Sequence, residues 1–406
     1  MRILVVHEVN YLSKIIYEFQ IIPEILSILG HDVTVVDYDD TWRHDPQNRG
    51  TSLSTHFYRN VHRAYPQASV TVRRPGMIRV PILSRISGAL AATCEIRRVI
   101  KSARPDIILL YGIPTIGVQT LFLARKAGIP VVCRAIDVTH ELVPNKLLVP
   151  ATHVLAKYVF SHASLNIALT PHLKKYIESY GVESRRIQLL PSGVDTGMFS
   201  PGERKPEVLE RWGIHTDDRV ILFMGTIYRF SGLDTVIRNF SQLVGGHRPP
   251  LQKNHSTTKL LIAGSGEDEL RLKRLAADCG IAGNVVFTGL LSYAALPDLI
   301  RACDVCINPF ELNGITEKIL PTKLFQYLAC GKPVVATELP GTITFLNGEQ
   351  QGVVYARLDD LVSELSRLLS DRERMNRLGQ NGVRAVADYD WRQIAQTMIE
   401  WMKVAA

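Results

Sequence analysis

Short β-branched, apolar runs alternate with amphipathic stretches along the whole chain, the pattern of doubly wound parallel α/β domains. Residues 2–7 predict a first strand, 13–29 a helix, Gly30 its C-cap and 32–37 a second strand. Further strands are predicted at 106–111, 131–135, 165–169 and 187–190. Segment 197–206 has strong turn signals and little apolar periodicity, and predicts a linker. A second series follows, with strands at 219–225, 259–263, 284–288, 304–308 and 333–337. Helices are predicted at 233–244 and 321–330, with a helical tail from 358 ending in 391–403, and the polar stretch 245–258 predicts a surface loop. Two Rossmann-like halves, 1–195 and 196–389, place the expected ligand cleft between domains, where C-terminal strand ends face each other.

Composition is that of an ordinary globular protein: 46% hydrophobic and 21% charged residues over 406 positions, which excludes a disordered chain, a coiled coil and a collagen-like chain. Charge changes the picture more. The chain carries 47 Lys+Arg against 39 Asp+Glu, a net +8. Residues 1–190 hold 23 cationic and 14 anionic side chains, so the whole excess lies in the first half. The segment 59–104 is the densest part, with only Glu95 opposing its arginines and lysine. Such a face attracts anionic partners, and Arg73, Arg74, Arg79 and Arg85 are expected to dock on an anionic membrane or a phosphorylated lipid. The Arg cluster has no interleaved recognition motif, so nucleic acid is not expected as a partner.

The opening apolar run is too short for a signal peptide, and 107–124 reads as strand, turn and helix instead of a membrane span. Six cysteines scattered among apolar residues suggest reduced, buried thiols in a cytoplasmic protein, or one peripheral on the inner membrane face. Cys303 and Cys306 have CxxC spacing, but on a strand they would point to opposite faces, so no shared metal is expected.

Two local features carry chemistry. The turn Gly264-Ser265-Gly266-Glu267 ends a strand and opens a helix, so its N–H groups could face an anion. The stretch PTKLFQYLACGKPVVAT at 321–337 puts Pro321 at a first helical position and Gly331 at a C-cap. Preceded by Asn313-Gly314-Ile315-Thr316, that helix start forms a natural diphosphate pocket.

Together with LPSGVDTGMFSP (190–201), LLIAGSGEDELRLKRLA (260–276) and NVVFTGLLSYAALPDLIRACDVCINPF (284–310), these segments resemble the family-4 retaining glycosyltransferases of the GT-B fold. The resemblance covers essentially the whole chain. It implies an α/β GT-B protein that moves a sugar from a nucleotide-sugar donor to an acceptor, a lipid-linked or cell-surface glycan precursor. By resemblance, 196–389 holds the donor, 1–195 the acceptor, and the helix in 390–406 crosses back to the first domain. No metal is expected, and the nucleotide-sugar acts as co-substrate.

The chain departs from the family where two glutamates normally stand eight positions apart, at Lys318 and Gln326. Glu317 or Glu311 could supply a carboxylate, and Gln326 keeps an amide for ribose hydroxyls. The family's Arg and Lys after the first donor-domain strand fall at Thr226 and Ser231, which leaves Arg229 and Lys323 as candidate cations. A leaving diphosphate demands positive groups or amides facing it. The donor candidates are therefore Gly225, Arg229, Gly264, Gly266, Gly314, Ile315, Lys323 and Gln326. Asp137 and His140 lie at the end of a strand at the cleft edge and join Glu317 as catalytic candidates. The glycine-free loop after the first strand offers Asn10 and Lys14 to an acceptor. A catalytically silent sugar-nucleotide-binding protein is the alternative, and another GT-B enzyme such as an epimerase a third.

Overall fold

The computed structural model describes residues 1–39, 52–81, 83–143, 145–205, 207–244 and 257–405. Most of the loop expected at 245–258, and Pro206 of the expected linker, lie outside the described residues. The chain divides into two units, Met1–Ser192 with Trp391–Ala406, and Gly193–Asp390.

In the first unit the strands are β1 (Arg2–Val6), β2 (Asp32–Val36), β3 (His56–Val61), β4 (Val70–Arg74), β5 (Ile107–Leu110), β6 (Val131–Ala135), β7 (Leu165–Ala168) and β8 (Ile187–Leu189). Among the described residues they form one sheet in the order β3-β4-β2-β1-β5-β6-β7-β8. Only the β3–β4 pairing is antiparallel. β3 escapes a reading by hydrophobic pattern because it is an edge strand, exposed or half-buried along its length. Inner strands bury both faces, as a parallel sheet requires: Leu4, Val6, Ile108 and Leu110 share a core with Ala92, Ile96 and Val99 of the helix Leu83–Ala103.

The helix expected from 13 begins at Glu18. Asn10 explains the delay: its Oδ1 accepts the N–H groups of Leu12 and Ser13 at 3.1 Å each and holds that stretch as a turn. The chain's last helix, Trp391–Ala405, belongs to this first unit. Ile394, Ala395, Met398, Ile399 and Met402 recur at helical spacing, are buried, and the helix packs on Glu18–Ile28 and β6.

The second unit contains β9 (Arg219–Met224), β10 (Thr258–Ala263), β11 (Val285–Gly289), β12 (Val305–Asn308), β13 (Val334–Ala336) and β14 (Val353–Tyr355). Among the described residues its sheet runs β11-β10-β9-β12-β13-β14, all parallel. Along β9 the side chains alternate between two cores. Val220, Leu222 and Met224 pack with Leu324 and Leu328, while Ile221 and Phe223 pack with Leu233, Val236 and Leu365. The strand order reverses between β9 and β12, and such a switch point opens a crevice at the C-terminal strand ends.

Two expectations need correction. Cys303 lies ahead of β12 and donates its thiol to the carbonyl of Leu299 (3.2 Å), so it shares one core with Cys306 instead of facing the other side of a strand. Cys94 is exposed, unlike the buried Cys133, Cys303, Cys306 and Cys330. Among the described residues no group of three or more His, Cys, Asp or Glu is placed to hold a metal, and no helix is long and apolar enough to cross a membrane.

Candidate functional site

The C-terminal edge of the second sheet is built by glycines that let two loops touch. After β9 the backbone turns at Gly225 (φ +135°), and after β10 at Gly264 (φ +141°), both in territory that favours glycine. A Cβ on Gly264 would stand 2.0 Å from the Gly225 carbonyl oxygen, and one on Gly266 would stand 2.2 Å from that of Ile227. The N–H of Gly225 donates to Ala263 (2.9 Å) and that of Ile227 to Ser265 (3.0 Å), which closes the two loops into one rigid ledge.

Onto this ledge reaches Lys323, the first residue of the helix Lys323–Ala329. Its Nζ lies 3.9 Å from the ring centre of Phe223 and 4.1 Å from that of Phe310. It is also 3.5 Å from the position a Gly225 side chain would occupy. The amine is buried and has no hydrogen-bond partner among the described residues. Burying a lone ammonium costs several kcal/mol, and ring faces return about 2 kcal/mol. Desolvation therefore wins, and burial lowers the Lys323 pKa well below the ordinary lysine value. The side-chain amide of Asn308 at the end of β12 and the Ser231 hydroxyl are likewise buried without partners among the described residues. Ser231 sits beside Gly232, whose φ of +67° lets the chain press against the carbonyl of Pro309.

The other donor-side candidates are placed less uniformly. Gln326 is half-buried one helical turn after Lys323 and faces the phenol of Tyr293, whose pKa burial pushes up. Arg229 is exposed and makes no ion pair among the described residues. Glu317 is exposed, with its carboxylate 3.9 Å from Lys318. The N–H of Ile315, expected to face a diphosphate, donates instead to Asn313 Oδ1 (2.9 Å), because the short loop satisfies its own amides in an Asx turn. Gly314 is open to solvent, and nothing lies near its missing side chain. Pro321 stands two residues ahead of the helix instead of opening it.

In the first unit, Arg134 of β6 forms a fully buried pair with Glu18, Nε to Oε1 at 2.5 Å and an Nη to Oε2 at 3.0 Å. Its remaining Nη donates to the carbonyl of Leu190 (2.7 Å), and Tyr111 donates to the same carboxylate (3.2 Å). Asp137, just past β6, keeps solvent access, yet desolvation first and the Glu18 charge second push its carboxyl above the ordinary range. His140 is held differently. Its Nδ1 is 3.0 Å from the Tyr176 hydroxyl and its ring stacks on His153 at 4.2 Å.

The acceptor candidates and the arginines of the basic segment have partners within their own unit. Asn10 is buried and committed to structure: besides its turn, Nδ2 donates to Asp39 Oδ1 (3.0 Å) and Oδ1 accepts from Arg74 (2.6 Å). Lys14 is exposed, and its carbonyl accepts from Arg63 (3.3 Å). The four arginines expected to meet lipid instead neutralise carboxylates of their own unit. Arg73 pairs with Glu95 (2.7 Å), Arg74 with Asp37, Arg79 with Asp39 (2.9 Å) and Arg85 with Glu8 (3.5 Å). A buried carboxylate needs a close cation, and these positions supply it. The sequence reading missed Asn308 and Tyr293. A polar residue closing the buried run VCIN was the available signal for the first; the second carried none.

Residues 204–385 match the family model described as Glycosyl transferases group 1, and residues 24–193 that of a Glycosyl transferase 4-like domain. A D-inositol 3-phosphate glycosyltransferase of Acidothermus cellulolyticus is 32% identical over 187 residues, 45% of this chain and 39% of that protein. A GDP-mannose-dependent alpha-(1-6)-phosphatidylinositol monomannoside mannosyltransferase of Mycolicibacterium smegmatis is 28% identical over 276 residues, 66% of this chain and 69% of that one. The matches to the first two curated relatives span half of those proteins' length or less. The crystal structure of HepE from Anabaena in complex with UDP shares the fold, with a TM-score of 0.72 at 15% identity over 100% of both chains. Two family models in register over two parallel α/β units lead to one conclusion: the chain belongs to the group 1 glycosyl transferases and has the GT-B fold.

Proposed function

We propose that this protein transfers a sugar from a nucleotide-sugar donor to an acceptor hydroxyl with retention of anomeric configuration. The acceptor is a phosphate-bearing inositol or lipid-linked glycan precursor. The observation that carries the reading is the buried, unpartnered Lys323 beside the Gly225–Gly264 ledge at the switch point of the second sheet. The acceptor oxygen forms the new bond to the anomeric carbon, and the bond from that carbon to the diphosphate breaks with its electron pair going to the leaving group. The acceptor proton leaves with the diphosphate, and no metal takes part. Support for the acceptor class comes from relatives named for inositol phosphate and phosphatidylinositol mannoside acceptors. Incubation with UDP-, GDP-, ADP- and dTDP-sugars, inositol phosphates and phosphoinositide acceptors, with and without EDTA, tests the whole reading. Release of nucleoside diphosphate together with a glycosylated product is the expected result. Absence of product with every pair refutes it.

One feature favours a second reading, a silent binder: Lys318 and Gln326 stand where the family resemblance leads one to expect glutamates. Donor binding without turnover, with turnover appearing in Gln326→Glu, would establish that reading.

We also place the protein on the cytoplasmic face of an anionic membrane, through a different part of the basic segment than its composition suggested. The outward face of the helix Leu83–Ala103 carries exposed Leu83, Ile86 and Leu90, followed by exposed Arg97 and Lys101. Apolar side chains beside cations fit an anionic lipid interface, each cation contributing about 1 kcal/mol. Co-sedimentation with phosphatidylglycerol vesicles is expected to weaken with salt and to be lost in Ile86→Glu/Leu90→Glu. Equal binding to phosphatidylcholine vesicles contradicts it.

A further inference from the structure

We infer that Lys323 is an uncharged amine in the free protein and takes up one proton as the diphosphate of a nucleotide binds, so that nucleotide binding and protonation are a single coupled event. This rests on the donor-site reading above and goes beyond it. The geometry supplies the reason. Nζ is closed in by the rings of Phe223 and Phe310 at 3.9 and 4.1 Å, has no hydrogen-bond acceptor, and has no carboxylate beside it among the described residues. Of the elements packed against it, β9 presents Phe223 and Gly225 and the segment after β12 presents Phe310, none of which titrates. On its own helix the titrating side chain is Tyr327, whose hydroxyl is held by the N–H of Met224 at 2.7 Å. Burial is accordingly the one cause that lowers the Lys323 pKa.

Gly225 leaves the space beside the amine without a side chain, since a Cβ there would stand 3.5 Å from Nζ. Relatives are expected to meet the diphosphate with fixed cations on the loop after the first donor-domain strand. Here the positions expected to carry them hold Thr226 and Ser231, Arg229 of the same loop is exposed, and the buried amine beside the ledge is Lys323 of the helix Lys323–Ala329. A diphosphate arriving at the ledge supplies the missing counter-charge, so the amine binds a proton from solvent and donates charge-assisted hydrogen bonds. The same ammonium then faces the charge that grows on the leaving diphosphate as the glycosidic bond breaks.

Calorimetric titration of the full chain with UDP, GDP, ADP and dTDP, near pH 8 in two buffers of different ionisation enthalpy, counts the protons. About one proton taken up per nucleotide is expected, with affinity falling up to tenfold per pH unit on the alkaline side. Lys323→Met is expected to melt at or above the wild-type temperature, to bind at least tenfold more weakly and to take up no proton. Lys323→Gln repeats the proton count should the first variant fold poorly. Binding without proton uptake in the wild type, or uptake retained in both variants, overturns the coupling and leaves the donor reading standing. No binding of any of the four nucleotides at millimolar concentration overturns both.

Discussion

At the scale of single residues, chemistry is decided by what each polar group finds around it. Lys323 and Arg74 are both largely buried basic side chains, yet Arg74 meets the carboxylate of Asp37 and Lys323 meets two aromatic rings. The first is consumed by structure, and the second has no hydrogen-bond partner among the described residues. His7 shows the same principle in a titrating group. It is fully buried against Tyr11 and Phe19, and burial, aided by the charge of Arg74, lowers its pKa from 6.5 to about 3. A base whose folded pKa is depressed contributes stability above its unfolded pKa and loses it as pH falls toward the folded value. Between pH 6.5 and 3, His7 should therefore remove about 1.4 kcal/mol per pH unit. Urea unfolding at pH 7 and pH 5 checks this: wild type is expected to lose about 2 kcal/mol more than His7→Phe over that interval. Identical losses would mean that His7 takes up its proton as readily in the folded state as in the unfolded one. None of these roles was legible from residue type alone. Asn10 was read as an acceptor contact because it stands in a loop after the first strand, and its actual partners, Asp39 and Arg74, lie 29 and 64 positions away.

At the scale of elements, the ledge formed after β9 and β10 depends on backbone contact that any side chain would prevent. Gly264→Ala puts a methyl group 2.0 Å from the Gly225 oxygen at a φ of +141°, so the loops must part. A loss of about 2–4 kcal/mol in stability is expected, in the range of overpacking plus backbone strain, together with loss of nucleotide binding. Gly314→Ala is the contrast. Its missing side chain meets open space, and a change within about 0.5 kcal/mol is expected by the same denaturation assay. Equal effects of the two substitutions would remove the geometric argument. Most strands were legible because a parallel sheet covered on both faces needs continuous apolar runs, as in RILVV of β1 and RVILFM of β9. β3 was not, since an edge strand carries no such requirement. The helix start at Glu18 was shifted by the side chains of Asn10 and Gln20, local hydrogen bonds that apolar spacing does not encode.

At the scale of the whole molecule, the chain returns its last helix to its first unit, and Trp391–Ala405 buries one face against Glu18–Ile28. Removing residues 391–406 is expected to weaken a helix far away in sequence. Amide exchange in 18–28 should accelerate at least a hundredfold, about 2.7 kcal/mol, while exchange in β9 and β10 stays near its original rate. Unchanged protection in 18–28 would show that the contact contributes nothing. The sequence by itself determined the fold class, the chain position of both sheets and the family, because strand periodicity, glycine turns and motif order are local properties that survive in one dimension. The family resemblance also offered Lys323, beside Arg229, as a candidate cation for a diphosphate. Only the tertiary structure decided which charges are free. Whether an arginine or lysine is available for a ligand depends on the carboxylates, carbonyls and rings that folding brings within a few ångströms, and those partners come from elements that chain order does not place side by side.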